Sequence, residues 1–104
     1  MHLGIALPFG DIGGDGPIVR EFGERRKIFN IHFRNIRGHR NDFREVYPDE
    51  GNVNLVEIAR ILRDVGYDGM LMPDHVPSHP HDPQSLQAFA FALGYIKGIL
   101  QALA

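Results

Sequence analysis

The sequence predicts an α/β fold in which short parallel strands alternate with helices, and three observations predict it. Three mostly apolar runs, at His2–Leu7, Lys27–Phe33 and Gly69–Pro73, are each too short to nucleate a helix, and each stops at a proline or a polar cluster. Each run is followed, directly or across a loop, by a stretch with apolar residues at helical spacing. At 104 residues the chain is at most one ordinary domain. The order β-α-β-α-β-α implies parallel strands joined by right-handed crossovers, and such a sheet needs both faces covered. Closing a barrel takes about eight strands and eight helices in roughly 250 residues. Three units therefore mean either a small open layer or part of a larger barrel.

Taken in order, His2–Leu7 reads as a buried strand ended by Pro8 and Gly10, and the GDIGGDG stretch after it as a turn. From Pro17 to about Arg25, Ile18, Val19 and Phe22 form one apolar stripe among Arg20, Glu21, Glu24 and Arg25, with Pro17 acceptable in a first helical turn. Lys27–Phe33 is rich in Ile and Phe and reads as the second strand. The segment from Arg34 to Asn54 is crowded with charge and shows little periodicity, so it is expected to be a long binding loop.

Asn54 with Glu57 three residues later has the spacing of a capping box, and Leu55, Ile58, Ile61, Leu62 and Val65 line one face of the helix it opens. Gly66 stands where a left-handed C-terminal residue belongs. Gly69–Pro73 is the third strand and runs directly into Asp74 and His75. After a loop with Pro77, Pro80 and Pro83, Ser85 is expected to cap a last helix whose buried stripe is Phe89, Leu93, Ile96, Leu100 and Leu103.

Composition narrows the function. With 43% hydrophobic and 23% charged residues, the chain has the make-up of a globular protein that buries a core. A net charge of -2 leaves no positive surplus to hold a phosphate backbone, so nucleic acid is excluded as an expected partner. There is no cysteine, hence no disulfide, thiolate ligand or cysteine nucleophile. No signal-like N-terminus and no run of 18 apolar residues occurs, so no membrane partner is expected and the expected location is the cytoplasm.

Ligands of parallel α/β proteins bind where the strands end and the following loops converge. His32 ends the second run and is followed by Arg34, Asn35 and Arg37, while Asp74 and His75 end the third. Imidazole nitrogen and carboxylate oxygen suit Mn²⁺, Fe²⁺ or Zn²⁺, so His32 and Asp74 have the chemistry for two corners of a metal site. Both also have plain readings: His32 bonded to a backbone carbonyl, and Asp74 capping the turn after Pro73. Arg34 and Arg37 suit an anionic substrate, because a guanidinium grips a carboxylate with two parallel hydrogen bonds. Ion pairs with Glu45, Asp49 or Glu50 explain them equally well. His79 and His81, in a proline-rich loop, read as solvated. The GDIGGDG stretch fits neither a dinucleotide-binding nor a P-loop pattern.

The stretches KIFNIHFRNIRG, FREVYPDEGNVNLVEIARILRDVGYDGMLMPDHVP and QAFAFALGYIKGILQAL, with HFRN, PDEG and MPDHVP at these separations, resemble the C-terminal part of mannonate dehydratases over about residues 17 to 104. That resemblance implies a partial TIM (β/α)8 barrel of about three βα units, forming a single incomplete domain. It implies a metal-dependent hydro-lyase that eliminates water from D-mannonate to give 2-dehydro-3-deoxy-D-gluconate in hexuronate breakdown, with Mn²⁺ or Fe²⁺. By similarity His32 and Asp74 are metal ligands, His75 is the catalytic acid/base, and Arg34, Asn35 and Arg37 face the sugar acid.

The family's further His ligand falls upstream of this chain, and its Cys ligand should fall within the first dozen residues, where none exists. No tyrosine stands before the last helix at the place where some members have a functional one. Two metal ligands then remain, and the isolated chain is expected to show little or no dehydratase activity. Its expected partners are a small sugar acid and either a second copy of itself or the missing half of a barrel. The competing expectation is a non-catalytic α/β module that associates through exposed strand edges.

Overall fold

A computed structural model describes residues 15–39 and 41–104. The strand expected at His2–Leu7 and most of the GDIGGDG turn lie outside the described residues. The order within them is α1 (Asp15–Glu24), β1 (Ile31–His32), β2 (Asn35–His39), β3 (Asp42–Val46), α2 (Leu55–Asp64), β4 (Leu71–Met72) and α3 (Leu86–Ala102). It is a mixed α/β arrangement in which one parallel pair and one antiparallel hairpin stand beside three helices.

Helix α1 buries Val19 completely and lies against α2, close enough that a Cβ on Gly23 would meet the Val65 side chain. Its end is a Schellman motif, with Lys27 N–H bonded to Phe22 O and Arg26 N–H to Gly23 O, both at 3.0 Å. The left-handed position is held by Arg26 at φ 55°, where glycine is the usual occupant. Helix α2 follows the sequence closely. The Asn54 side chain accepts from Glu57 N–H at 3.1 Å, Leu55, Ile58, Ala59, Ile61 and Leu62 are buried, and Gly66 at φ 78° closes the same motif through Tyr67 N–H to Leu62 O.

Strands β1 and β4 pair in parallel, with Ile31 opposite Leu71 and His32 opposite Met72, and Phe33 N–H extends the ladder to Met72 O at 2.7 Å. Both strands are shorter than the apolar runs that announced them. Ile31 and Phe33 point into the core and leave His32 on the other side, as strand alternation requires.

The charged segment after Phe33 is not the open loop that its composition suggests. Residues Asn35–His39 and Asp42–Val46 form an antiparallel hairpin in which His39 opposes Asp42. The end of the ladder depends on Gly38, which lies opposite Phe43 and has φ 123°, because a Cβ there would run into the Asp42 carbonyl and Phe43. The hairpin carries charge on both faces and buries apolar side chains only at Ile36 and Val46, so it leaves no alternating hydrophobic signature.

Helix α3 also differs from expectation. Ser85 adopts a left-handed conformation and makes no side-chain cap. The Asp82 carboxylate caps instead, accepting from Gln87 N–H at 3.2 Å and Ala88 N–H at 3.1 Å. The buried face is Ala88, Ala92, Ile96 and Ile99, while Leu93 and Leu100 of the expected stripe are 56% and 52% exposed. An almost wholly apolar helix has no polar face to fix its orientation. Here the small side chains of Ala88 and Ala92 face inward, where only a short side chain fits.

One core unites these pieces, with Val19, Ile28, Ile31, Phe33, Leu55, Ile58, Ile61, Leu62, Ile96 and Ile99 packed together. A groove of about 410 Å³ opens between α2 and α3 on the side where β4 begins, lined by Leu62, Tyr67, Leu71, Ile96, Leu100 and Leu103. No helix among the described residues is long and apolar enough to cross a membrane.

Candidate active site

Where β1 and β4 end, the chain brings three of the expected residues together. His32 leaves β1 on the side away from the core. The turn after β4, closed by Asp74 N–H to Met72 O at 2.9 Å, carries Asp74 toward it. His32 Nδ1 lies 3.3 Å from Asp74 Oδ2, and His75 Nε2 lies 2.8 Å from the same oxygen. A single carboxylate oxygen thus sits between two imidazoles, His32 and Asp74 about one-third exposed and His75 about half.

The hairpin adds a residue that the sequence offered only as an ion-pair partner for the arginines. Glu45 projects from β3 with Oε1 at 3.8 Å from His75 Nδ1, and the same oxygen is ion-paired with Arg34 NH1. The ladder explains that pairing. Ile36 opposes Glu45, so Arg34, two residues earlier, is Glu45's diagonal neighbour on the same face. Glu45 was legible only as a loop anion, because its position depends on a hairpin the pattern does not announce. Arg34 Nε and Glu45 Oε2 are buried and make no hydrogen bond among the described residues. A buried polar atom left so costs about 1–3 kcal/mol.

Asn35 and Arg37 are not brought to this cluster. Asn35 is 1% exposed and its amide is committed elsewhere, donating to Pro48 O at 2.9 Å and Val53 O at 2.8 Å and accepting from Val53 N–H at 3.2 Å. It stitches the base of the hairpin to the segment leading into α2. Arg37 is exposed and donates to the Glu50 carbonyl. Arg34 makes the ion pair with Glu45 that stood as its alternative, whereas the contact of Arg37 is to a backbone carbonyl rather than to a carboxylate. His79 and His81 are exposed and lie against each other, with ring centroids 5.4 Å apart.

A ring nitrogen and a carboxylate oxygen at 3.3 Å, one at the end of β1 and the other just beyond β4, match the donor types of a first-row divalent cation. Among the described residues no group of three or more His, Cys, Asp or Glu is arranged to hold a metal ion. The cluster therefore fits part of a coordination sphere, set beside a second imidazole and a guanidinium.

The profile of the family described as D-mannonate dehydratase (UxuA) matches residues 4–104. Among curated proteins, the chain is 30% identical to a mannonate dehydratase of Enterococcus faecalis across 95% of its own length and 30% of that protein's. It is 41% identical to one of Endomicrobium trichonymphae across 56% of its length and 16% of the relative's. With mannonate dehydratase 2 of Halalkalibacterium halodurans it shares 35% identity over 69% of its length and 23% of the relative's. The chain thus spans less than a third of the length of these relatives. No solved structure matches it.

Proposed function

This chain belongs to the D-mannonate dehydratase family, and from that premise we propose that it carries one rim of a site that removes water from D-mannonate to give 2-dehydro-3-deoxy-D-gluconate in hexuronate breakdown. The observation that carries the reading is the Asp74 carboxylate shared between His32 and His75 at the ends of two parallel strands. We further infer that β1, α2 and β4 are part of a (β/α)8 barrel and that the reaction takes place in the cytoplasm.

In this reading His32 and Asp74 would hold Mn²⁺ or Fe²⁺, and the chemistry such an ion would supply there is positive charge beside the substrate's carboxylate end. The elimination breaks the C2–H and C3–O bonds and forms a C2–C3 double bond. The departing hydroxyl takes a proton and leaves as water, and the enol so formed becomes the ketone. His75 suits the proton traffic. With Nε2–H donated to Asp74, its Nδ1 lone pair is left to accept a proton and hand it on. Arg34 grips the carboxylate of the sugar acid. Asn35 acts at one remove, by fixing the strand that follows Arg34.

The test is a Mn²⁺ titration followed by electron paramagnetic resonance, with and without D-mannonate. Wild-type chain should bind the ion weakly, and His32→Ala and Asp74→Asn should each lower that affinity by at least about tenfold. Turnover by the isolated chain should stay far below that of a full-length relative assayed alongside. Equal Mn²⁺ binding by wild type and both variants would remove the metal site from the proposal.

A second reading is favoured by the open face of α3, where Leu86, Leu93 and Leu100 are each more than half exposed. In that reading the chain is a non-catalytic module that associates with a partner or a second copy of itself through exposed strand edges, with this apolar surface beside them. Sedimentation across a hundredfold concentration range separates the two, since a module of this second kind dimerises without any response to Mn²⁺.

A further inference from the structure

The residue that links the hairpin to the site is Glu45. Its carboxylate is ion-paired with Arg34, just before β2, and lies 3.8 Å from the His75 imidazole, so a single side chain stands between one group from each half of the site. Arg34 and Glu45 are both largely buried, at 14% and 21% side-chain exposure. Each nevertheless keeps one polar atom with no hydrogen-bond partner among the described residues, Arg34 Nε and Glu45 Oε2. A pair whose only purpose was to hold the hairpin together would gain most by closing both bonds side by side, as guanidinium and carboxylate do when unconstrained. Here a single oxygen is used, and that same oxygen is the one turned toward His75.

We propose that Glu45 is a positioning residue. By holding Arg34 on one side and facing His75 on the other, it fixes the angle at which the guanidinium meets a carboxylate ligand, and so assigns the hairpin β2–β3 the task of orienting that ligand against the strand-end cluster. The proposal deepens the dehydratase reading and rests on it for the identity of the ligand, a sugar acid. The positioning itself is a property of the free protein and can be read without any ligand. Glu45 lies on β3, Arg34 just before β2, and His75 after β4. The alignment therefore depends on three separate stretches of chain meeting at one carboxylate.

Nuclear magnetic resonance of the full 104-residue chain tests it in two steps. The first, without ligand, follows the ¹⁵N heteronuclear NOE of Arg34 Nε–H. It should be as high as that of the backbone in wild type and fall clearly in Glu45→Ala, and Glu45→Asp, which keeps the charge on a shorter arm, should recover part of the loss. The Asn35 side-chain amide signals report whether the hairpin base is intact. Should Glu45→Ala disturb them, the isosteric Glu45→Gln takes its place in the comparison. The second step titrates D-mannonate, which should bind on the order of tenfold more weakly to the Glu45 variant while circular dichroism stays unchanged. An Arg34 signal equally ordered in wild type and in the variant that keeps the hairpin overturns the proposal, as does loss of order only where the hairpin melts. Ordering by Glu45 with no D-mannonate binding to wild type upholds the positioning role and counts against the sugar-acid reading alone.

Discussion

At the scale of single residues, neighbours in one short motif do quite different jobs. HFRN places His32 at the site, Phe33 in the core, Arg34 beside Glu45 and Asn35 inside the base of a hairpin. From the sequence, His32, Asp74 and His75 were legible as one cluster because parallel strands deliver their ends to a common rim. Asn35 was not, since its partners are the backbone carbonyls of Pro48 and Val53, whose positions no spacing rule supplies. Replacing Asn35 by Ala strands both carbonyls and the Val53 N–H in a buried place. Urea unfolding should show a loss of about 2–4 kcal/mol, accompanied by hairpin disorder, because several buried groups lose their partners at once. A loss below about 0.5 kcal/mol would mean that the amide network contributes nothing beyond what water offers.

At the scale of elements, helices were easier to foresee than strands, for a reason visible in α2. Its caps, stripe and closing glycine all point the same way, whereas β1 and β4 owe their existence to each other across 40 residues of sequence. The hairpin lies further still from prediction because its ladder is made by charged residues. In α3 the obstacle was the reverse, too much apolar surface to tell inside from outside. The two Schellman ends offer a matched experiment. Gly66 at φ 78° suits its left-handed position and Arg26 at φ 55° does not. Gly66→Ala should therefore destabilise the fold by about 1 kcal/mol, and Arg26→Gly should stabilise it by a few tenths to about 1 kcal/mol in thermal or urea unfolding. If both changes lower stability, the Arg26 side chain must contribute more than its backbone costs.

At the scale of the whole molecule, two tyrosines bear on how stability varies with pH. The hydroxyl of Tyr67, bonded to Met70 O, has its pKa raised by burial and then by the Asp68 carboxylate, and that of Tyr95 is raised by burial and then by Asp49. A pKa higher in the folded than in the unfolded chain favours the fold while the phenol is neutral, and that advantage is lost as pH climbs through the folded value. Stability should be insensitive to these groups through neutrality and decline above about pH 10. The slope in alkaline unfolding curves should be shallower in Tyr67→Phe and Tyr95→Phe, and an unaltered slope in both would assign the alkaline loss to other groups.

The parallel ladder that carries His32 and leads into Asp74 is only two residues long on each strand. So few rungs resist sliding poorly, and the gap between imidazole and carboxylate must be held by what is wedged behind it, the side chains of Ile31 and Phe33 locked among Leu55, Ile58 and Leu62. The rim is thus tuned from the rear. A methyl group lost from α2 should change the spacing of His32 and Asp74 before it unfolds the chain.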